Sequence, residues 1–292
     1  MVILNKKNIQ EYLENDPKQF IIFDIKYSQE SKDCIDNFNI TEFLEYHNYS
    51  DNNFDDLKDF ILKLGSNSDK QVCIMDKIIK DITKIVMSGY DKIYTHYWLT
   101  IRATLPHPEF DIPRWHCDGN YFYKEPSADE KTTFDRPNLT KFVTVLQGPG
   151  TLFLKTTTQE ERDLFITTIT EERQKSYKRD KKTHYEDIIE VRKAIDCKIK
   201  GARIQADKYQ AAIFISTIKK CDDAKCGIHS EPPINVPRLF LSIVPATKDE
   251  VEIQKKRNHI KHQKGGEINY YKKYIKYKAK YIKECNISLT KI

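Results

Sequence analysis

The spacing of hydrophobic positions along this chain changes near residue 90. Over residues 70–88, Val72, Ile74, Ile78, Ile79, Ile82, Ile85 and Val86 recur close to every 3.6 residues, which predicts an amphipathic helix. Gly89 follows it as a helix stop. Weaker spacing of the same kind predicts helices over residues 5–15 and 41–64. Thr41 would cap the second, and Phe54, Leu57, Ile61 and Leu64 would line its apolar side. Residues 20–25, Phe20-Ile21-Ile22-Phe23-Asp24-Ile25, predict a short strand between the two. From residue 92 the period shortens to two. Ile93, Thr95, Tyr97, Leu99 and Ile101 would share one face of a strand over 92–104, with Tyr94, His96, Trp98 and Arg102 on the other.

More strands follow at residues 114–118, 139–146, 151–154, 202–206, 210–216 and 236–244. Gly148-Pro149-Gly150 is a strong turn signal between two of them. Residues 156–198 interrupt the series with charged, helical sequence that would pack outside the strands. The whole predicts an α+β chain with a β-rich core, a jelly roll or double-stranded β-helix. Its parts would be a mainly helical region over 1–90, the β domain with its helical insertion over 91–247, a basic linker over 248–266 and a tail helix over 267–285.

Composition narrows the setting. Hydrophobic residues make up 39% of the 292 residues and charged ones 32%, enough for a core beneath an ionic surface. No run of 18 apolar residues occurs, so no membrane span is expected. Met1-Val2-Ile3-Leu4-Asn5-Lys6-Lys7 lacks the order of a signal peptide. The seven scattered cysteines suit thiols in a reducing, intracellular compartment better than a disulfide framework. The net charge of +6 hides a gradient: residues 1–70 carry 8 Lys/Arg against 14 Asp/Glu, and residues 248–292 carry 13 against 5. The two ends therefore suit different partners. After Lys264-Gly265-Gly266, which reads as a hinge, Tyr270, Tyr274, Tyr277 and Tyr281 form a stripe among lysines. Such a helix suits packing against another helix, or a nucleic acid or other anionic partner.

The candidate chemistry lies in Arg114-Trp115-His116-Cys117-Asp118. His116 and Asp118 are two residues apart, so extended backbone aims both at one point. They form two legs of a metal site, and His229 in Cys226-Gly227-Ile228-His229 offers a third. Two histidines and one carboxylate on one face of an octahedron leave three positions open, a set that suits non-haem Fe(II) with a co-substrate and dioxygen. His107-Pro108-Glu109 shows how weak a short His-x-acid pattern is alone. Arg238 adds to it: nine residues after His229, in a strand apolar on both faces, a buried arginine needs a carboxylate partner.

The order His116-x-Asp118, His229, Arg238 resembles the iron- and 2-oxoglutarate-dependent dioxygenase superfamily over roughly residues 92–246. Gln147-Gly148-Pro149-Gly150-Thr151-Leu152-Phe153 and Gly227–Pro233 also resemble a smaller domain family with the same motif order. That family tends to have His-Arg-Ser-Pro where this chain has His229-Ser230-Glu231-Pro232. The resemblance implies iron on His116, Asp118 and His229, with Arg238 gripping the far carboxylate of 2-oxoglutarate. Lys141 and Tyr97 are further candidates for holding that co-substrate. The implied activity is oxidation of a C–H bond in a substrate that the sequence does not identify. The lysine- and tyrosine-rich tail resembles a C-terminal signature of giant DNA virus proteins, which implies host cytoplasm or virion.

The same residues admit other readings. Cys221-x4-Cys226-x2-His229, with Cys117, has spacing that suits zinc and competes for His229. Arg238 could serve only a structural ion pair, with Asp118 among the candidates. Trp98 and Trp115 read as core, and Cys117 as a small buried hydrophobe facing away from its neighbours' site. The non-enzymatic alternative is a jelly-roll binding or virion-associated protein with a basic tail.

Overall fold

A computed structural model describes residues 2–4, 6–14, 19–49, 54–90, 94–118, 122, 139–178, 184–216 and 226–263. The chain divides into two compact units, Met1–Val251 and Glu252–Ile292. The first is a mixed α and β structure built on a large antiparallel sheet. Its elements in the first ninety residues are β1 (Val2–Ile3), α1 (Lys6–Glu14), β2 (Phe20–Asp24), β3 (Lys26–Tyr27), α2 (Gln29–Asp36), β4 (Leu44–Tyr49), α3 (Leu57–Leu62) and α4 (Asp69–Ser88). After them come β5 (His96–Thr104), β6 (Leu139–Gln147), β7 (Leu152–Lys155), α5 (Gln159–Lys178), α6 (His184–Lys198), β8 (Ala202–Gln205), β9 (Gln210–Ser216), β10 (Ile228–Ser230), β11 (Arg238–Ala246) and α7 (Lys248–Gln263).

Six strands form the main sheet in the order β2-β9-β6-β11-β5-β4, and three form a second sheet in the order β10-β7-β8. Every pairing in both is antiparallel. One face of the main sheet presents Tyr97, Leu99, Ile101, Ala103, Phe142, Ile213, Leu239, Leu241 and Ile243 to the buried side chains of α1 to α4. The helix α4 is set by its sequence. Ser68 and Gln71 form a reciprocal capping box at its start, and Val72, Met75, Ile78, Ile79, Ile82 and Val86 are buried along one side. The opposite face of the main sheet contributes Val143, Ala212 and Phe214 to a smaller cluster with Phe153 of β7. Leu154 and Ile228, which neighbour Phe153 and His229 in sequence, are buried instead with Phe165, Ile169, Ile195 and Ile199 from the α5–α6 region. Strand alternation therefore puts Phe153 and His229 toward the main sheet and their neighbours toward the helices.

Several expectations change here. The helix expected over 41–64 is a strand and a short helix. Leu44 and Tyr46 pair with Ala103 and Ile101 of β5, so an alternating pattern lay beneath the helical spacing and sheet pairing selected it. Consequently 1–90 is no separate helical region: β2 and β4 are the two edges of the main sheet. Residues 114–118 make a single β-bridge, at His116, in place of a strand. The insertion over 156–198 is two helices packed on each other, and the stretch expected as a linker from 248 forms α7. In the second unit the described residues are the remainder of α7, where Lys255 pairs with Glu252 at 3.1 Å. The tail helix expected over 267–285 lies outside the described residues. Among the described residues no helix is long and apolar enough to cross a membrane.

Candidate metal centre

Backbone pairing builds the centre. His116 N–H donates to the carbonyl of His229 at 2.9 Å, and His229 N–H donates to the carbonyl of His116 at 2.9 Å. Residues that exchange both bonds in an antiparallel pair project their side chains to the same side. The two rings accordingly lie 4.4 Å apart, centroid to centroid. Asp118 completes the group. Its Oδ1 is 3.6 Å from His116 Nε2, and its Oδ2 is 3.3 Å from His229 Nε2. One ligand atom from each residue falls within 4.8 Å of the other two.

Both rings are held in one tautomer. His116 Nδ1–H donates to the carbonyl of Arg114 at 2.7 Å, and His229 Nδ1–H donates to the carbonyl of Gly227 at 3.0 Å. A carbonyl only accepts, so each Nδ1 carries a proton, and in the neutral ring each Nε2 presents a lone pair. This is how metal-binding histidines are usually oriented. His229 is 6% exposed and its ring lies 4.4 Å from that of Phe214. Burial pushes its pKa below the ordinary histidine value, against the pull of Asp118. Burial would raise the pKa of Asp118, but the Lys141 ammonium and the histidines beside it hold its carboxyl well below the usual range. A neutral imidazole and an ionised carboxylate are the forms that bind a cation. Two nitrogens and one carboxylate oxygen on one side of a cavity fit a first-row divalent metal with coordination positions to spare.

The centre opens into a cavity of about 190 Å³ whose lining includes Arg238, Lys141, Thr151 and Phe240. Lys141 Nζ lies 3.0 Å from Asp118 Oδ2. Arg238 is 2% exposed, and burial pushes its pKa down to about 10 although Glu231 acts in the other direction. Its Nε donates to the carbonyl of Pro149 at 2.9 Å and its Nη2 to Thr151 Oγ1 at 3.3 Å. The Gly148-Pro149-Gly150 turn thus belongs to the site. Gly148 has a positive φ of 86°, and a Cβ there would fall 2.6 Å from the carbonyl oxygen of Pro237, so only glycine lets the turn come this near to Arg238. Where β11 meets β6 the register shifts between Leu239 and Phe240, immediately beyond Arg238, leaving Leu146 as an extra residue on β6, and such a bulge bends its strand.

Tyr97 belongs elsewhere. Trp98, Thr100 and Arg102 of β5 line the cavity, whereas Tyr97 faces the helices and stacks on Phe54 with 6.2 Å between centroids. Adjacent residues on a strand face opposite sides, so Tyr97 is corrected from co-substrate candidate to core residue, while Trp98, expected in the core, packs on the small cluster of Leu139, Val244, Ala246 and Val251 and also lines the cavity. Arg238 does not take Asp118 as its partner; Lys141 does. Among the described residues the zinc set is not brought together. Cys221 lies outside the described residues, Cys226 does not join the metal-binding group, and Cys117 packs on the cluster around Trp115.

The wall also contains residues that the sequence reading passed over. Glu231 Oε1 lies 3.1 Å from Arg114 Nη2 and 3.6 Å from Arg102 Nη1. Arg102 Nη2 reaches Glu45 Oε1 at 2.7 Å. Burial opposes ionisation of Glu231, yet Arg114, His116, Arg102 and Arg238 together hold its carboxyl far below the usual range. The signal available was period two: Arg114 precedes His116 by two residues and Glu231 follows His229 by two.

No protein-family model matches the chain, and no curated protein sequence does. Solved structures similar to it include a prolyl-4-hydroxylase from Pseudomonas putida, at 8% identity, covering 83% of this chain and 99% of that one, with a TM-score of 0.39. Another is a prolyl hydroxylase from Trichoplax adhaerens in complex with a peptide fragment, at 8% identity, 85% and 91% coverage and a TM-score of 0.37. A third is the Kdo hydroxylase KdoO, at 8% identity, 86% coverage of each chain and a TM-score of 0.40. That enzyme is described as a non-haem Fe(II) alphaketoglutarate-dependent dioxygenase.

Proposed function

We propose that this chain is an Fe(II)- and 2-oxoglutarate-dependent oxygenase on a double-stranded β-helix formed by its six-stranded and three-stranded sheets. The observation that carries the reading is the meeting of His116, Asp118 and His229 in a cavity that Arg238 and Lys141 also line. His116, Asp118 and His229 would hold Fe(II). Bound there with 2-oxoglutarate and dioxygen, the iron supplies oxidation of a C–H bond coupled to decarboxylation to succinate.

The protein's part is placement and exclusion of water. Arg238 offers a guanidinium already fixed through Pro149 and Thr151, which suits the far carboxylate of a diacid. Lys141 offers a second cation, on the side of Asp118. Phe153 and Phe214, whose rings lie 6.3 and 4.4 Å from that of His229, keep one side of the ligands dry.

A second reading, a non-catalytic binding protein, draws on the Lys141–Asp118 contact, which neutralises the ligand carboxylate with no metal. One experiment separates the two. Anaerobically loaded Fe(II) should be retained at about one ion per chain, and air should then release succinate from 2-oxoglutarate slowly without added substrate. Asp118→Ala should abolish both. A folded wild-type chain that retains no Fe(II) decides for the second reading.

A further inference from the structure

We infer that Arg114 and Glu231 form a clamp across the two ligand segments, with Glu231 a positioning residue for the metal centre. The inference rests on the metal-centred reading above. In an antiparallel pair, the residue two before one partner and the residue two after the other stand opposite each other on the partners' own face. For the pair His116 and His229 these are Arg114 and Glu231, and their side chains meet at 3.1 Å.

Arg114 therefore acts twice. Its carbonyl accepts the hydrogen bond from His116 Nδ1–H, and its guanidinium holds the carboxylate that follows His229. Glu231 also stands 3.6 Å from Arg102, which continues to Glu45 on the edge strand β4. The chain of charges fastens both ligand segments to the main sheet.

That fastening matters because the segment carrying His116 and Asp118 is not a strand. It meets β10 through the single bridge at His116, and a pairing this short specifies its register poorly. A one-residue slip would turn His116 away from His229. Glu231 belongs to no ligating group among the described residues, so its contribution is to hold the ligands and not to bind the ion.

The test titrates Co(II), whose visible spectrum reports its ligand set, into wild type, Arg114→Gln, Glu231→Gln, the double variant and Arg114→Lys. The metal-free Tm of each is measured alongside. Each Gln variant is expected to weaken Co(II) binding about 10- to 100-fold, the range for partners that orient metal ligands. The double variant should bind no more weakly than the weaker single one, because both remove the same contact. Arg114→Lys should recover part of the affinity.

A contact serving stability alone would lower the metal-free Tm and leave both the affinity and the Co(II) spectrum as in wild type; that outcome overturns the inference. Should Glu231→Gln fail to fold, Arg114→Gln decides alone, since its side chain is 51% exposed. Wild-type chain that takes up neither Co(II) nor Fe(II) overturns the metal reading and the clamp together, whereas wild-type affinity in the variants overturns only the clamp.

Discussion

Lys141 Nζ stands 3.0 Å from Oδ2 of Asp118, the same oxygen that lies 3.3 Å from Nε2 of His229. Both members of the ion pair are shielded, with side chains 14% and 12% exposed. The ammonium supplies the positive charge that the buried carboxylate requires when no metal is bound.

Lys141→Met should therefore destabilise the metal-free protein by about 3 kcal/mol, the cost of leaving one charge of a buried pair alone. A saturating divalent metal should restore most of that loss, because the cation replaces the ammonium as the partner of Asp118. Chemical denaturation with and without Co(II) measures both effects. Equal losses in the two conditions would show that Lys141 acts apart from the metal centre.

The depressed pKa of His229 gives the metal-free protein a pH dependence. The unfolded chain takes up this proton near the ordinary value of 6.5, while the folded chain takes it up only at lower pH because the ring is buried. Between those values the unfolded state binds more protons, so stability rises with pH. Urea midpoints should be flat above about pH 7 and fall as the pH drops below about 6.5. His229→Gln should remove that part of the slope, and an unchanged slope would assign it to another group.

Arg238→Lys keeps a charge but loses the fork that reaches both Pro149 and Thr151. A charge-assisted hydrogen bond contributes about 1.5–3 kcal/mol, so binding of 2-oxoglutarate should weaken about 10- to 100-fold while metal affinity stays near wild type. Isothermal titration with 2-oxoglutarate, using Co(II) in place of Fe(II), gives both constants. Unaltered co-substrate affinity would remove Arg238 from the proposed carboxylate site.

Tyr97→Phe is the control on the opposite face of β5. Its side chain packs among the helices, so the substitution should change neither metal nor 2-oxoglutarate affinity in the same titration. Weakened co-substrate binding would contradict the alternation of cavity and core positions along that strand.

The features legible in the sequence were those with a local cause. The periodicity of α4, the Gly89 stop and the alternation of β5 are set by neighbouring residues and by the backbone's two repeat lengths, so they could be read directly. His116 and Asp118 were legible for the same reason, since two residues of extended chain aim side chains alike. His229 and Arg238 were found by motif order, because nothing local to either points at Asp118.

Tertiary pairing decided the rest. Leu44–Tyr49 carries spacing compatible with both helix and strand, and the open edge of β5 selected the strand by accepting its hydrogen bonds. Tyr97 and Trp98 look alike as strand aromatics, and only the position of the helices on one face of the main sheet set the first against them and the second on the cavity side. Lys141 became the partner of Asp118 through the register of β6 in that sheet. The contact of Glu231 with Arg114 depends on the bridge between His116 and His229, and a pairing between residues so far apart in the chain leaves no periodic trace in either segment.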